Sequence, residues 1–136
     1  MDRPRLLLAD DHAATRVLLR NLLDAEFDVI AEVSEGRALV VAAAQLSPDA
    51  IVTDISMTGL DGIMAAAIIC GENPEARIVF VTVHAEAVMV DRGLATGALG
   101  YVLKEAAGDD LLPAVRAALR GESYVSRALI SPERRD

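Results

Sequence analysis

Short apolar runs alternate with longer segments of helical period along this sequence, and that alternation narrows the possible folds more than any other feature. Five runs rich in Val, Ile and Leu are predicted to be strands: Arg5–Ala9, Asp28–Val33, Ala50–Thr53, Arg77–Thr82 and Gly100–Leu103. Five Ala- and Leu-rich segments are predicted to be helices: Ala14–Glu26, Arg37–Leu46, Gly62–Glu72, Glu86–Thr96 and Gly108–Arg120. Strands that alternate with helices indicate an α/β fold with a parallel sheet covered on both faces. The run DVIAEV is the most mixed in polarity, so we expect it at or near an edge of the sheet.

Composition and charge exclude several classes of function. The chain has 136 residues, enough for one domain with a single sizeable core, and its net charge of −8 argues against non-specific nucleic-acid binding. Its two Phe and two Tyr residues offer little surface for stacking on bases. No apolar run reaches the ~18 residues that a membrane span needs, and the single Cys70 fits a reducing compartment. We therefore expect a cytoplasmic protein that does not enter a membrane.

Polar side chains stand at the ends of four predicted strands. Asp10 and Asp11 follow the first strand, Asp54 follows the third, Thr82 ends the fourth and Lys104 follows the fifth. In an open parallel sheet, ligands bind beyond the carboxyl ends of the strands, where the strand order switches. Each of these residues alone has a common structural explanation, as a helix cap, a turn residue or a solvated charge. Together they predict one site built from four loops.

The chemistry of this set points to a metal and a phosphoryl group. Three crowded carboxylates cannot all stay charged without a cation, and hard oxygen ligands suit Mg²⁺. We predict Asp11, Asp54 and the backbone carbonyl of Ser56 as direct ligands, with Asp10 acting through water. Asp54 is then the candidate nucleophile, a carboxylate that accepts a phosphoryl group as an acyl phosphate. The hydroxyl and the ammonium at the other two strand ends are expected to contact the phosphoryl oxygens.

At these residues the sequence resembles the receiver domain of bacterial two-component response regulators. The blocks LLLADDH, IVTDISMTGLDGI, VFVTVH and GALGYVLKEA follow the family order and spacing from Arg5 to about Arg120. The segments ADDH, GYVLK and AVRAALRGESYVS are most similar to the NarL/FixJ-type subfamily. The resemblance implies a flavodoxin-like (βα)5 fold with a five-stranded sheet. It also implies phosphotransfer to Asp54 from a sensor histidine kinase, with Mg²⁺ as cofactor, in a domain that promotes its own phosphorylation and dephosphorylation without being an enzyme.

The resemblance also implies roles for residues around the acceptor. It assigns switching to Thr82 and Tyr101: as the hydroxyl turns toward the phosphoryl oxygen, the tyrosine rotates inward into the vacated space. It places Ser56 and His84 at the two positions where family members vary their dephosphorylation rate. The expected readout surface is the fourth helix, the fifth strand and the fifth helix.

The sequence departs from the family pattern at two positions. Thr58 stands where family members usually have proline, and the freed backbone N–H and looser φ predict a more mobile loop over the site. Glu105 follows Lys104 where the family often has a proline, and the geometry of that peptide bond is left open. Neither change removes a reacting group, so we expect a competent acceptor.

Two predicted helices carry more apolar surface than one buried face can use. The helix Gly62–Glu72 has no charge before its last residue, and Val88, Met89 and Val90 are consecutive in the next helix. Helices that are apolar all round are normally covered. We hypothesise that one of these faces is buried in a homodimer that forms on phosphorylation. An Ala-rich surface that is simply neutral explains the pattern equally well.

The alternation of elements ends near residue 121. We assign residues 1–121 to the receiver domain and residues 122–136 to a linker or tail. Members of the subfamily generally carry a helix-turn-helix DNA-binding domain after the receiver, so we expect control of transcription through such a domain outside this chain. DNA would then be contacted only there, and Arg127, Arg134 and Arg135 agree with a linker toward it. A single-domain receiver that acts in a phosphorelay or in protein interaction is the alternative.

The loop after the first strand lacks the residues that two rival functions would need. A metal-dependent aspartyl phosphatase of the haloacid dehalogenase type would have Asp-x-Asp there, and the second Asp would fall on His12. A flavodoxin-like FMN binder would have a Ser/Thr/Gly phosphate loop, whereas ADDHAAT is acidic. His12 has no second histidine at ligand spacing, so we expect a loop or cap role for it and no transition metal.

Overall fold

The computed structural model describes residues 3–129 and shows a parallel sheet with helices on both faces. The strands are β1 (Arg5–Ala9), β2 (Asp28–Val33), β3 (Ala50–Thr53), β4 (Ile78–Thr82), β5 (Gly100–Leu103) and β6 (Tyr124–Val125). The helices are α1 (Ala13–Leu23), α2 (Gly36–Leu46), α3 (Gly62–Glu72), α4 (Ala87–Ala95) and α5 (Ala107–Leu119). The strand order is β2-β1-β3-β4-β5-β6, and each neighbouring pair is parallel.

The predicted α/β architecture is confirmed, with small shifts at the ends of elements. β4 starts at Ile78, one residue later than predicted, and α1 ends at Leu23 where the pattern predicts Glu26. The mixed run DVIAEV forms β2 at the edge of the sheet, as expected, and most of its residues are only partly buried. Within residues 3–129, no helix combines the length and the apolar character that crossing a bilayer requires.

The sheet has one strand more than the five predicted. Tyr124 and Val125 form β6, which pairs with Gly100 and Tyr101 of β5, and a short 3₁₀ turn follows at Arg127–Leu129. A strand of two residues has no alternation to reveal it, because strand signals need runs of about four or more residues. The remainder of the predicted tail, with Arg134 and Arg135, lies outside the described residues.

Two apolar clusters, one on each face of the sheet, form the core. Successive residues of a strand point to opposite faces, so Leu6 and Leu8 of β1 join one cluster while Leu7 and Ala9 join the other. The first cluster packs under α1 and α5, and the second packs under α2, α3 and α4. β3, β4 and β5 are buried along their whole length, which explains their uninterrupted apolar sequences.

The strand order places a crevice at the carboxyl ends of β1 and β3. The chain moves from β1 to β2 on one side and then returns to add β3 on the other side of β1. This reversal is the switch point at which open α/β sheets bind ligands, because the two loops diverge there. The loops after β1 and β3 therefore face each other across the crevice.

The apolar helix surfaces that suggest a homodimer are partly exposed. On α3, the side chains of Ile63, Ala66 and Ile69 are buried, whereas Met64 and Ile68 are 52% and 41% exposed. On α4, Val90 is buried and Val88 is 63% exposed. Burial of either face in a dimer stays a prediction.

Gly62 sets the closest approach between α3 and the loop after β3. A Cβ at this residue would lie 2.0 Å from the backbone oxygen of Asp54, and the Gly62 amide donates to the oxygen of Ile55 at 2.7 Å. Gly71 lies in the same helix with nothing within 4 Å of its Cβ position. The two glycines therefore differ in surroundings while sharing one helix.

Gly62→Ala is expected to lower the free energy of unfolding by about 3 kcal/mol, because either α3 or the loop after β3 must move to make room for the methyl group. The matched control Gly71→Ala is expected to raise it by about 0.5 kcal/mol, because alanine is the better helix former. Urea titrations of the two variants and the parent measure both values. Equal stability of the two variants would contradict the close approach at Gly62.

Candidate functional site

Three of the predicted acids converge at the crevice. Asp10 is fully buried, Asp54 is 3% exposed, and Asp11 lies at the surface beside them. One carboxylate oxygen from each, together with a ring nitrogen of His12, lies within a set whose atoms are all less than 4.8 Å apart. The loops after β1 and β3 thus bring together acids that are more than forty residues apart in the sequence.

Lys104 forms an ion pair with both buried acids. It opens the 3₁₀ turn Lys104–Ala106 after β5, and its Nζ lies 2.9 Å from Asp54 Oδ2 and 3.0 Å from Asp10 Oδ2. Burial alone would lower the pKa of this amine, but the contacts with Asp54 and Asp10 outweigh burial and raise its pKa. Lys104 is also the only lysine in the 136-residue sequence.

The backbone holds Asp54 in a fixed position. Its amide donates to the oxygen of Ala9 at 2.9 Å, which ties β3 to β1 just before the acid. Its Oδ1 accepts from the amide of Ile55 at 2.7 Å, while its Oδ2 faces Lys104. The two carboxylate oxygens therefore have different partners, and the side chain has little freedom to rotate.

The loop that carries Asp10 is fixed by a residue that the strand-end pattern does not indicate. Nη1 of Arg16, one turn into α1, donates to the backbone oxygen of Asp10 at 2.6 Å, and its Nε lies 3.7 Å from Glu32 of β2. The amide of His12 donates to Asp10 Oδ1 at 2.8 Å. Two features of the sequence point to Arg16: it lies near the start of a helix, and its charge is opposite to that of the acids. Nothing local in the sequence, however, predicts that it bonds to a backbone carbonyl.

The acid cluster has the properties of a hard-cation site. Asp10 Oδ2 is buried and accepts no hydrogen bond of good geometry from the described residues, although the ammonium of Lys104 lies near it. Such an oxygen is costly to bury unless a charge satisfies it. Beside it, an open depression of about 520 Å³ is lined by Asp11, Ser56 and Asp61, among others. An oxygen-rich donor set with room for water suits a small divalent cation.

Thr82 and Tyr101 are linked through one residue, His84. The Thr82 side chain is buried, and its Oγ1 accepts from the amide of His84 at 3.2 Å. The Tyr101 hydroxyl donates to the backbone oxygen of His84 at 2.8 Å. The His84 backbone is thus held at its nitrogen by one predicted switch residue and at its oxygen by the other.

Tyr101 occupies an inward, fully buried position. Its ring packs beside Phe80 with centroids 6.1 Å apart, and α4 approaches closely because residue 93 is glycine, whose Cβ would lie 3.1 Å from the ring. Burial, with smaller effects from Glu86 and Asp54, raises the pKa of Tyr101 to about 12. The phenol therefore stays protonated and keeps its hydrogen bond at physiological pH.

Ser56 and His84 meet at the mouth of the site. Ser56 Oγ and His84 Nε2 lie 2.7 Å apart, and both residues line the depression beside Asp11. The other ring nitrogen, Nδ1, lies 3.9 Å from Glu86. The two positions that the family resemblance assigns to dephosphorylation control are therefore in direct contact across two different loops.

The remaining sequence-predicted positions have plain structural surroundings. Residues 3–129 contain no cis peptide bond, so the Lys104–Glu105 bond is trans. Thr58 forms an isolated bridge with Glu35, which ties the loop after β3 to the start of α2. His12 stands at the N-cap of α1 without capping through its side chain, and its Nδ1 lies 2.9 Å from Asp11 Oδ1. The expected loop or cap position of His12 agrees with this placement.

Lys104→Met is expected to lower the free energy of unfolding by about 3 kcal/mol without divalent cations, because it leaves two buried carboxylates uncompensated. Adding Mg²⁺ is expected to restore much of the lost stability. Lys104→Arg keeps the positive charge and is expected to lower the free energy of unfolding by less. Thermal unfolding with EDTA and with Mg²⁺ measures these differences. A methionine variant as stable as the parent in EDTA would show that the ion pair does not hold the site together.

Comparison with known proteins identifies the family of this chain. The sequence model of the response regulator receiver domain matches residues 6–116. The transcriptional regulatory protein LiaR of Bacillus subtilis is 40% identical over 120 residues, which cover 87% of this chain and 57% of LiaR. The chain thus spans a little over half the length of this curated relative.

Solved structures show the same fold. A LuxR-family two-component response regulator from Aurantimonas superposes with a TM-score of 0.90 at 28% identity, covering 94% of this chain and 93% of that one. The isolated receiver domain of RcsB from Salmonella enterica, solved in the presence of BeF₃⁻, has a TM-score of 0.86 at 26% identity and covers 94% and 96% of the two chains. The matched family model spans most of the sequence, including every strand end at the crevice. This chain belongs to the response regulator receiver domain family.

Proposed function

We propose that this chain is a phosphorylation-controlled signalling module in which Asp54 accepts a phosphoryl group from a sensor histidine kinase. The observation that carries the proposal is the setting of Asp54, a buried carboxylate with one oxygen on the Ile55 amide and the other 2.9 Å from the Lys104 ammonium. In the transfer, the phosphorus–nitrogen bond of the donor phosphohistidine breaks and a phosphorus–oxygen bond to Asp54 forms. The released imidazole stays with the kinase.

Mg²⁺ is the cofactor that the site would hold. Asp11, Asp54 and the backbone carbonyl of Ser56 would bind it directly, and Asp10 through water. The buried, incompletely satisfied oxygen of Asp10 and the three carboxylates gathered beside it support this assignment. When bound, Mg²⁺ supplies positive charge that favours transfer of an anionic group to a carboxylate.

Lys104 and Thr82 would receive the oxygens of the transferred group. The Lys104 ammonium already lies between the two buried acids, so a small movement brings it to a phosphoryl oxygen on Asp54. Thr82 Oγ1 accepts a hydrogen bond from His84, and a hydroxyl that accepts one bond can still donate its own hydrogen to another group. The ammonium is in place before phosphorylation, which limits the rearrangement that the reaction needs, whereas the Thr82 hydroxyl would turn toward the phosphoryl oxygen.

The free energy that switching requires indicates that charged contacts, and not the Thr82 hydroxyl alone, drive the conformational change. Moving a mostly inactive population to a mostly active one needs about 5 kcal/mol of differential stabilisation. One neutral hydrogen bond from Thr82 contributes about 1 kcal/mol. The charged contacts of Lys104 and the cation would therefore supply most of the shift, and Thr82 with Tyr101 would transmit it through the backbone of His84.

We further propose that the output is control of transcription through a DNA-binding domain after the receiver. In this view, residues 1–121 are the receiver and residues 122–136 lead toward the next domain. Support comes from LiaR, described as a transcriptional regulatory protein, of which this chain matches 57%. The aspartyl phosphatase is less well supported, because His12 stands where that chemistry would need a second acid and is paired with Asp11 at 2.9 Å.

Incubation with ³²P-acetyl phosphate and Mg²⁺ is expected to label the parent chain with an alkali-labile acyl phosphate. Asp54→Asn is expected to lose essentially all label, because an amide cannot be phosphorylated in this way. Asp61→Asn is the matched control: Asp61 caps α3 at the same depression, and asparagine caps equally well. Full labelling of the Asp54 variant would refute the acceptor assignment.

The contact between Ser56 and His84 is expected to protect phospho-Asp54 from water. Ser56→Ala and His84→Ala should each shorten the lifetime of the acyl phosphate about fivefold, the effect of one hydrogen bond of ~1 kcal/mol. The double variant should lose little more than either single one, because both remove the same bond.

The release of ³²P-phosphate from the labelled chain measures these lifetimes. Glu86→Gln serves as control, since Glu86 is exposed and lies 3.9 Å from the ring. Effects of the two single variants that multiply in the double variant would show that Ser56 and His84 act independently.

A further inference from the structure

The chain turns back after α5 and runs beside β5. We call residues 122–129 the C-terminal clasp. The amide of Tyr124 donates to the oxygen of Leu99 at 2.9 Å, and the amide of Ser126 donates to the oxygen of Tyr101 at 3.0 Å. The clasp therefore covers the edge of β5, which would otherwise present unpaired backbone groups.

A carboxylate on α5 holds the clasp in place. Asp110 accepts from the Tyr124 hydroxyl at 2.8 Å with Oδ1 and from Ser126 Oγ at 2.7 Å with Oδ2. Ser126 is 1% exposed, and its Oγ also accepts from the amide of Leu103 at 3.2 Å. The few backbone bonds of a two-residue strand cannot stabilise it alone, so these charge-assisted bonds are needed to dock it.

The apolar side chains of the clasp pack near Tyr101, one of the two predicted switch residues. Val125 and Leu129 lie against the apolar cluster that contains Tyr101, Phe80 and Val90. Val125 is also the register partner of Tyr101 in the sheet. Register partners point to the same face of a sheet, so an outward Tyr101 ring would leave a void beside Val125.

Tyr101 joins the acceptor site to the clasp with two different groups. Its hydroxyl donates to the backbone oxygen of His84, whose amide in turn donates to Thr82 at the site. Its backbone oxygen accepts from Ser126 in the clasp. The path from Asp54 to the segment that leads out of the domain therefore needs no helix.

We propose that the C-terminal clasp is an output surface of this receiver and that phosphorylation of Asp54 tightens it on β5 through Tyr101. The inference rests on the proposed function and goes beyond it, because the readout expected from the family resemblance is α4, β5 and α5. The occupant of the β5 edge is the chain's own segment, so the signal passes directly to whatever follows residue 129. By linkage, loosening the clasp must weaken the phosphoryl state by the same factor.

Hydrogen exchange of the full 136-residue chain with Mg²⁺, with and without beryllofluoride, tests the proposal. The Ile55 amide, which bonds to Asp54, reports occupancy of the site, and the Ser126 amide reports the clasp. We expect beryllofluoride to slow exchange at Ser126 about tenfold, within the usual range of coupling between sites. Tyr101→Phe keeps the ring but loses the bond to His84, so it should reduce this effect while Ile55 still responds.

The outcomes separate the two proposals. A response at Ile55 with none at Ser126 would overturn the clasp as an output and leave Asp54 as acceptor. No response at either amide would overturn both. A slowing at Ser126 that persists unchanged in Tyr101→Phe would also overturn the path through the tyrosine hydroxyl.

Reciprocity gives an independent test at a residue far from the acids. In Asp110→Asn, the two charged carboxylate oxygens that accept from the clasp hydroxyls are replaced by a neutral amide. This variant should loosen the clasp and weaken the apparent beryllofluoride affinity about tenfold. ¹⁹F NMR at fixed Mg²⁺ measures the affinity. Asp109→Asn, the exposed neighbour on α5, removes the same charge without touching the clasp hydroxyls and should leave the affinity unchanged. Equal affinities in the two variants would contradict the coupling.

Discussion

The ion contact of Lys104 with Asp10 and Asp54 is the interaction on which the rest of this structure depends. Two carboxylates are buried at the carboxyl ends of β1 and β3, and an unpaired buried charge is among the most destabilising features a fold can contain. One ammonium from the end of β5 lies within 3.0 Å of both. Three strands that are not all neighbours are therefore tied together by one charge, and under the proposed function the same charge would contact the phosphoryl group.

The packing around this contact leaves little freedom in the loops that carry it. α3 begins against the backbone of Asp54, and Arg16 holds the carbonyl of Asp10. His84 connects the groups around this cluster, because its backbone bonds to Thr82 and Tyr101 and its ring meets Ser56. A fixed acid cluster linked through one residue to a buried tyrosine suits the proposed switch, because small shifts in a packed interior select between discrete states.

The sequence predicts the parts of this fold that repeat and misses those that depend on single long-range contacts. Five strands, five helices and the convergence of strand ends follow from periodicity and from the geometry of parallel sheets. β6 is missed because its stability comes from Asp110, which is distant in sequence and looks like an ordinary solvated acid. The hydrogen bond between Ser56 and His84 and the contact of Arg16 with Asp10 are missed for the same reason. The pattern gives a residue's place on a strand or helix but not its partner across the fold.

The absence of any other lysine gives Lys104 a practical consequence. Every other permanently cationic side chain in the sequence is arginine, so reagents that modify ε-amines have a single side-chain target, next to the phosphoacceptor candidate. Reductive methylation with ¹³C-formaldehyde would place an isotopic reporter on this one nitrogen and on the α-amino group. A single labelled side chain, Lys104, would therefore report directly on the acid cluster.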